Sequence, residues 1–178
     1  MNLGCGRDLK DGYLNVDVYG NPPVFIHDLN VKPWPWEKDS VDEILMFHVL
    51  EHLPDPISVL KEIYRVCKKD ALIHIAVPHP FHDDFISDPT HVSRITPRMV
   101  QAFSKAYNRK TLENGDANNP LGILSDVDFE IEKHSYVVEK RWMQRVLDGE
   151  LSEQSLQHAI LNFNNVVKQI EMIVRVVK

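Results

Sequence analysis

The chain has 178 residues, 43% hydrophobic and 26% charged, with a formal net charge of −6. These values are ordinary for a globular protein, and we expect residues 1–178 to form one domain. The acidic charge disfavours binding along a nucleic-acid backbone. Because no apolar run reaches the roughly 18 residues of a membrane span and no signal peptide is recognisable, we expect a cytoplasmic protein without membrane contact.

The chain opens with the glycine-rich run Asn2-Leu3-Gly4-Cys5-Gly6, followed by a short predicted strand, 13–18, that contains Asp17. Glycines let a backbone pass close to a ligand, and an acid at the end of the next strand offers two acceptor oxygens to a ribose diol. A dinucleotide site would have a third glycine where Leu9 stands. The interval between Gly6 and Asp17 is also too short for a full helix. We therefore predict a nucleotide site whose first crossover is a turn or short helix, although Asp17 could instead only cap a turn.

Strand and helix patterns then alternate along the chain. Strands are predicted at 24–28, 41–49 and 71–77. Between the last two, Asp55-Pro56 begins a helix, since aspartate suits the N-cap and proline the first helical position. Cys67 is placed on the apolar face of this helix, and with Cys5 in the glycine loop a disulfide framework is not expected.

The second half of the chain continues this alternation. A loop of about seventeen residues follows residue 77, and loops of this length inside domains are often functional. The remaining predicted elements are a helix from Thr96-Pro97, a surface loop at 108–126, a strand near 127–139, a helix near 152–161 and a strand near 166–177. This order indicates an α/β, doubly wound sheet.

The motifs at the start of the chain resemble a known family. The glycine run, residues 12–17, His27-Asp28-Leu29 and residues 42–52 are together similar to class I S-adenosylmethionine-dependent methyltransferases, in the subgroup with Asn-Leu-Gly-Cys-Gly and a shortened first helix. The resemblance covers about residues 1–105. It implies a mostly parallel, seven-stranded Rossmann-like sheet with an antiparallel terminal strand, minimal at its N-terminus. It also implies S-adenosylmethionine as cofactor and S-adenosylhomocysteine as product.

The resemblance implies roles for individual residues. The loop backbone would contact the amino-acid part of the cofactor, Asp17 would accept both ribose hydroxyls, and Asp28 would accept the adenine amino group with Leu29 packed on the ring. Asp28 could instead form an ordinary Asx-turn, and His48 could shape the pocket without touching the cofactor or acting as a base. The implied cofactor-binding residues are Asn2, Gly4, Cys5, Gly6, Asp17, Val18, Asp28, Leu29 and His48.

Two features depart from the family pattern. The family commonly carries Asp or Glu where Asn2 stands, so a contact to the cofactor's ammonium group would use an amide. The chain begins one residue before this motif, without the N-terminal helices that often cover the cofactor. We therefore expect either an open site or one covered by later loops or by a second subunit, as in a homodimer.

Residues 78–91, after the predicted fifth strand, are rich in His, Asp and Pro. Because ligands bind at the carboxyl ends of such strands, this loop should overhang the methyl group, where His79, His82, Asp83 and His91 could align or deprotonate an acceptor. The same side chains could bind a divalent metal, or Asp88-Pro89-Thr90-His91 could only pin the loop by side-chain-to-backbone hydrogen bonds. We predict His48, His79 and His91 as catalytic residues, and no metal site.

These observations predict methyl transfer to an oxygen or nitrogen of a small molecule or glycan, with nucleic acid an unfavourable partner. The alternative is a catalytically silent module that binds S-adenosylmethionine or S-adenosylhomocysteine and works through a protein partner. A nicotinamide oxidoreductase is disfavoured by Leu9.

Overall fold

The computed structural model describes residues 1–116 and 119–178. Within them, seven strands form one sheet in the order β3-β2-β1-β4-β5-β7-β6. The strands are β1 (Asn2–Leu3), β2 (Asn15–Asp17), β3 (Phe25–Ile26), β4 (Val41–Phe47), β5 (Cys67–Pro78), β6 (Phe129–Val138) and β7 (Val167–Val176). Strands β1 to β5 pair in parallel, whereas β7 is antiparallel to both β5 and β6. The predicted doubly wound sheet with an antiparallel terminal strand is confirmed.

The helices of the described residues are mostly short. The α-helices are α1 (Pro56–Val66), α2 (Asp83–Ile86), α3 (Pro97–Gln101), α4 (Lys105–Glu113), α5 (Leu121–Leu124), α6 (Lys140–Leu147) and α7 (Glu153–Asn162), and a 3₁₀ helix covers Leu50–His52. None of the helices that the structure describes is long and apolar enough to cross a bilayer.

Helix α1 forms as its sequence predicts and covers the centre of the sheet. The Asp55 side chain accepts a hydrogen bond from Ser58 N at 3.0 Å, and Pro56 occupies the first turn. The buried stripe Val59, Leu60, Ile63 and Val66 packs in the main core with residues of β4 and β5. Strand β5 begins directly after this helix, so the prediction that Cys67 lies on the helix is wrong: it is the first residue of the strand and is fully buried.

The connection between β1 and β2 contains no helix in the described residues 4–14, as the short spacing predicts. Two buried asparagines hold it together. Asn2 Nδ2 donates to Asp8 O at 2.8 Å and to Asn15 Oδ1 at 2.9 Å, and Lys10 N donates to the same Asn15 oxygen at 2.9 Å. Amide side chains therefore organise the turn that replaces the first crossover helix.

The prediction of a surface loop at 108–126 is wrong for the residues that the structure describes; residues 117–118 lie outside them. Most of α4 and all of α5 fall in this stretch. The buried positions of α4 are Asn108 and Thr111, so the helix lacks the apolar stripe that would reveal it in the sequence. Asn108 Nδ2 donates to Ala102 O at 3.0 Å and its Oδ1 accepts from Ile123 N at 3.3 Å, which ties α4 to α5.

Candidate active site

A cavity of about 470 Å³ lies at the carboxyl ends of β1, β2 and β4. Its size is within the range of about 300–1,000 Å³ that is usual for small-molecule sites, and this edge is where open α/β sheets bind ligands. It is lined by Gly4, Gly6, Asp17, Val18, Tyr19, His27, Asp28, Leu29, Asn30, His48, Val49, His52 and Leu53. All predicted cofactor-binding residues except Asn2 and Cys5 belong to this lining.

The glycine turn brings the backbone to the wall of the cavity. Gly4 has a φ of +64°, and a Cβ atom there would stand 2.4 Å from Val49 Cγ2. Gly6 has a φ of +49°, and its N–H donates to Asp17 Oδ2 at 2.8 Å. Only glycine combines this left-handed backbone with such close approach, so the turn leaves room that a side chain would otherwise fill.

Asp17 stands at the end of β2 and joins the glycine turn to the next loop. Its Oδ2 accepts from Gly6 N, and its Oδ1 accepts from Val18 N at 2.8 Å and more weakly from Tyr19 N at 3.4 Å. These bonds fix the direction of the carboxylate. Because an ionised carboxyl group has about four acceptor positions, it keeps capacity for hydroxyl donors in the cavity.

Asp28 and Leu29 form the next part of the lining. Asp28 Oδ1 accepts from Asn30 N at 2.8 Å and from Asn30 Nδ2 at 3.0 Å, so the Asx-turn considered from the sequence is present. These two bonds use one oxygen of the carboxylate. Leu29 is buried, and its carbonyl oxygen accepts from Trp34 Nε1 at 3.2 Å. The pair therefore offers an acceptor beside an apolar surface, an arrangement that suits a heterocyclic base.

His48 follows β4 with a left-handed φ of +57° and lines the cavity. Its Nε2 is 3.0 Å from Gln169 Oε1, and its Nδ1 is 3.4 Å from Glu51 Oε1. The carboxylate of Glu51 raises the pKa of His48, against the opposing effect of partial burial, and Gln169 contributes in the same direction. The imidazolium form is therefore stabilised relative to that of a free histidine, which strengthens His48 as a hydrogen-bond donor.

The loop that carries His91 is hydrogen-bonded to the turn after β4. Val92 N and Ser93 N both donate to Glu51 O, at 2.8 and 3.0 Å, and Ser93 Oγ donates to Leu53 O at 2.6 Å. As a result the rings of His52 and His91 lie with their centroids 4.7 Å apart. His91 therefore lies beside His52, which lines the cavity.

Other predicted residues of the 78–91 loop have contacts of their own. His82 is buried and caps α2: its Nδ1 accepts from Asp84 N at 3.1 Å, and its Nε2 is 3.3 Å from a Glu139 oxygen. Asp83 N donates to Asn165 Oδ1 at 2.7 Å. These contacts fasten the loop to the segment between β6 and β7, and neither residue lines the cavity.

His79 also lies outside the lining of the cavity. It directly follows β5, its Nδ1 accepts from Phe81 N at 3.3 Å, and its ring meets the Tyr136 ring edge-on at 6.2 Å. Partial burial lowers its pKa, and the nearby His82 lowers it further. The lowered pKa favours the neutral form of this imidazole relative to that of a free histidine.

Glu51, His52, Tyr19 and His27 were not assigned roles from the sequence. Glu51 is the most informative of them, because its side chain is 1% exposed and neither of its oxygens accepts a hydrogen bond from any described residue. The sequence signal for this residue is an acid inside the mainly apolar run from 44 to 53, because acidic side chains are rarely buried without a partner.

The order of the sheet and the cavity at its carboxyl edge define a Rossmann-like methyltransferase fold. Residues 3–75 match the model of a family described as a methyltransferase domain. Residues 3–75 are therefore similar to a methyltransferase domain, which supports the resemblance to class I S-adenosylmethionine-dependent methyltransferases. Among curated proteins no sequence matches the chain significantly.

Solved structures share this fold at low sequence identity. A chain in the complex between the Haloferax volcanii Trm112 methyltransferase activator and a protein described as a methyltransferase is 13% identical over 99% of this chain and 81% of its own, with a TM-score of 0.53. A protein from Listeria monocytogenes that is described as an S-adenosylmethionine-dependent methyltransferase is 13% identical. The match covers 99% of this chain and 90% of that chain, with a TM-score of 0.51. The YcgJ protein of Bacillus subtilis is 15% identical over 87% of this chain and 70% of its own, with a TM-score of 0.50.

Proposed function

We propose that this protein transfers a methyl group from S-adenosylmethionine to an oxygen or nitrogen of a small molecule or glycan. The observation that carries the proposal is the position of His48 and His52. Both line the cofactor cavity, and both touch a cluster of imidazoles and carboxylates formed with Glu51, Asp88 and His91. An acceptor bound at this cluster would lie next to the cofactor.

The residues present fit the cofactor. The Gly4 turn leaves a cradle that a Cβ atom would fill, Asp17 presents a fixed carboxylate to a diol, and Asp28 with Leu29 presents an acceptor beside an apolar wall. When bound, S-adenosylmethionine supplies an electrophilic methyl group on a sulfonium. The protein's part is to hold the acceptor in line and to exclude water.

The chemistry around the cavity favours a neutral, hydroxyl-rich acceptor. Carboxylates at Asp17, Asp28, Asp84 and Asp88 would repel a polyanion, whereas hydroxyl and amine groups can donate to them. A hydroxyl acceptor must also lose its proton, and a cluster of polar side chains beside the cofactor can assist that loss. The chain's net charge of −6 supports the same preference.

Cofactor binding tests the first part of the proposal. We expect Asp17→Asn to weaken S-adenosylmethionine and S-adenosylhomocysteine by roughly ten- to hundredfold, because charged hydrogen bonds contribute about 1.5–3 kcal/mol. Isothermal titration calorimetry measures this. Asp11→Asn is the matched control, since Asp11 is exposed in the same connection and is not among the cavity-lining residues. Equal affinity in both variants would contradict the assigned role of Asp17.

Methyl transfer tests the acceptor class. With tritium in the transferred methyl group, we expect label in polyols, phenols, glycans or amines and none in DNA, RNA or denatured protein. On the true acceptor, His91→Ala should lower turnover at least about tenfold, because His91 belongs to the cluster at which the acceptor would bind, with little change in cofactor affinity. His158→Ala, on an exposed face of α7, should match the wild type. Label confined to nucleic acid or protein would overturn the proposal.

A second candidate is a silent cofactor-binding module that works through a protein partner. It is favoured by a groove of about 450 Å³ over the sheet face formed by β4, β5, β6 and β7, where Phe47 is 39% exposed. A change of oligomeric state on adding S-adenosylhomocysteine, without methyl transfer to any acceptor, would favour this candidate.

A further inference from the structure

The starting observation is a buried carboxylate without a hydrogen-bond donor. The Glu51 side chain is 1% exposed, and neither oxygen accepts a hydrogen bond within the described residues. His48 Nδ1 approaches Oε1 to 3.4 Å but does not have hydrogen-bond geometry. Burying an ionised carboxylate without a hydrogen-bond donor costs several kcal/mol of folding free energy. A further positive charge or a proton is therefore required beside it.

The imidazole rings of His52 and His91, which lie beside Glu51, are each oriented by a hydrogen bond at Nδ1. Thr90 Oγ1 donates to Asp88 Oδ1 at 2.6 Å and therefore accepts from His52 Nδ1 at 2.9 Å. His91 Nδ1 lies 3.2 Å from Phe85 O, to which only an N–H can donate. With Nδ1 protonated in both rings, each Nε2 holds a free lone pair. Such outer hydrogen bonds are how proteins orient histidines that bind metals.

We propose that Glu51, His52 and His91 bind one divalent transition-metal ion of the Zn²⁺ type. One ligand atom from each residue lies within 4.8 Å of the other two. Ligands at about 2.0–2.2 Å from a tetrahedral ion lie about 3.4 Å apart, so rotations of the exposed His52 and largely buried His91 rings that shorten these separations by about 1 Å would complete the site. Two imidazoles and one carboxylate suit Zn²⁺, Mn²⁺ or Fe²⁺, whereas Mg²⁺ and Ca²⁺ prefer oxygen ligands only.

Charge and backbone contacts around the cluster support this site. The ion would neutralise the Glu51 carboxylate, and Asp88 Oδ2, 3.6 Å from His91 Nε2, stands at its rim. Backbone bonds from residues 92 and 93 to Glu51 O hold the two chain segments together, so the three ligands are positioned by the fold. The proposal departs from the prediction from the sequence that the chain has no metal site.

The place of the cluster assigns the ion a role that rests on the proposed function. Three protein ligands leave coordination positions open, and His52 lines the cofactor cavity. A hydroxyl oxygen of the acceptor can occupy an open position, where the ion lowers its pKa and holds it toward the methyl group. The proton leaves to solvent, the oxygen forms its bond to the methyl carbon, and the carbon–sulfur bond breaks to give S-adenosylhomocysteine. The acceptor class is therefore an alcohol or phenol.

The site can be tested with metal alone on chelator-treated protein. We expect one equivalent of Zn²⁺ to bind by calorimetry, and Co²⁺ at the same site to show visible absorption bands that Zn²⁺ abolishes. Glu51→Gln and His91→Ala should each weaken binding at least about tenfold. His158→Ala should bind as the wild type does, because His158 lies on α7 outside the cluster.

Thermal unfolding separates the metal site from a fold defect. Without metal, Glu51→Gln should melt at or above the wild-type temperature, because it removes a buried carboxylate whose oxygens accept no hydrogen bond within the described residues. Zn²⁺ should raise the melting temperature of the wild type and not that of Glu51→Gln. No binding of Zn²⁺, Mn²⁺ or Co²⁺ to the wild type, or equal weakening by His158→Ala, would overturn the proposal.

The same variants separate this proposal from the proposed function. Glu51→Gln should still bind S-adenosylhomocysteine with near wild-type affinity. Metal binding without methyl transfer to any acceptor would leave the metal site standing and remove its catalytic role. Methyl transfer that survives chelation unchanged would confirm the proposed function and overturn the role assigned to the ion.

Discussion

Gly4 is the residue at which the wall of the cofactor cavity tolerates least change. Its backbone is left-handed, and the space beyond its Cα is taken by Val49, which follows β4. The strand that supplies the glycine turn and the strand that supplies His48 are therefore in direct contact at the floor of the site. A single methyl group at this contact would press the two apart.

Replacing Gly4 and Gly6 separately tests this contact. Gly6→Ala meets no atom within 4 Å and should cost only the strain of a left-handed alanine, about 1–2 kcal/mol in the free energy of unfolding. Gly4→Ala should cost about 1–3 kcal/mol more, because its Cβ overlaps Val49. Urea unfolding measures both variants.

A double variant identifies the cause of that difference. Val49→Ala removes both Cγ atoms near Gly4, so Gly4→Ala should be less damaging in that background than in the wild type. If the two substitutions had additive effects on the free energy of unfolding, the overlap of a Cβ at position 4 with Val49 would be relieved in some other way.

At the scale of elements, Glu43 joins three parts of the sheet. It lies on β4, accepts a hydrogen bond from Tyr13 Oη in the connection before β2, and is 2.9 Å from His74 Nε2 on β5. The Tyr13 hydrogen bond is the largest cause that lowers the pKa of Glu43, and His74 adds to it against the effect of burial. The same hydrogen bond raises the pKa of Tyr13.

This arrangement predicts a pH dependence of stability. Because the pKa of Glu43 is lower in the folded state than its ordinary value of 4.5, its contribution is complete above that pH and is lost as the pH falls through the folded value. The free energy of unfolding, measured by urea at several pH values, should therefore fall more steeply below pH 4.5 in the wild type than in Glu43→Gln. The exposed Glu113→Gln should keep the wild-type slope. Equal slopes for Glu43→Gln and wild type would contradict this assignment.

The elements that the sequence predicted well are those whose buried positions are apolar. Strands β4, β5 and β7 and helix α1 have regular apolar patterns, and caps at Asp55 and Ser152 mark helix starts. Helix α4 was missed because its buried positions are Asn108 and Thr111. The site residues also fall into those that the sequence predicted and those that it did not. The glycine turn and Asp17 are close in sequence, whereas the contact of Glu51 with His91 depends on a loop 40 residues away that only tertiary packing brings close.

At the scale of the whole molecule, Cys67 reports on global unfolding. It is fully buried at the start of β5, and burial raises its pKa to about 12. Because the thiolate is the reactive form, modification requires both exposure and deprotonation.

We expect Cys67 to be almost inert in the folded protein. In a Cys5→Ser background at pH 8, its labelling by a thiol reagent should be at least about a thousandfold slower than in the unfolded chain, given a stability of about 5 kcal/mol or more. The rate should rise with urea in parallel with unfolding followed by circular dichroism. Fast labelling that is proportional to reagent concentration and independent of urea would show local opening of β5 instead.

His52 is shared by two sites: it lines the cofactor cavity, and it belongs to the cluster with Glu51 and His91. Two ligands that share a residue are thermodynamically linked. If a bound metal ion changes the affinity for S-adenosylmethionine by some factor, the cofactor must change the affinity for the ion by the same factor. Cofactor release and ion exchange are then no longer independent steps. If the ion binds as proposed, the supply of one ligand affects the occupancy of the other through a single imidazole.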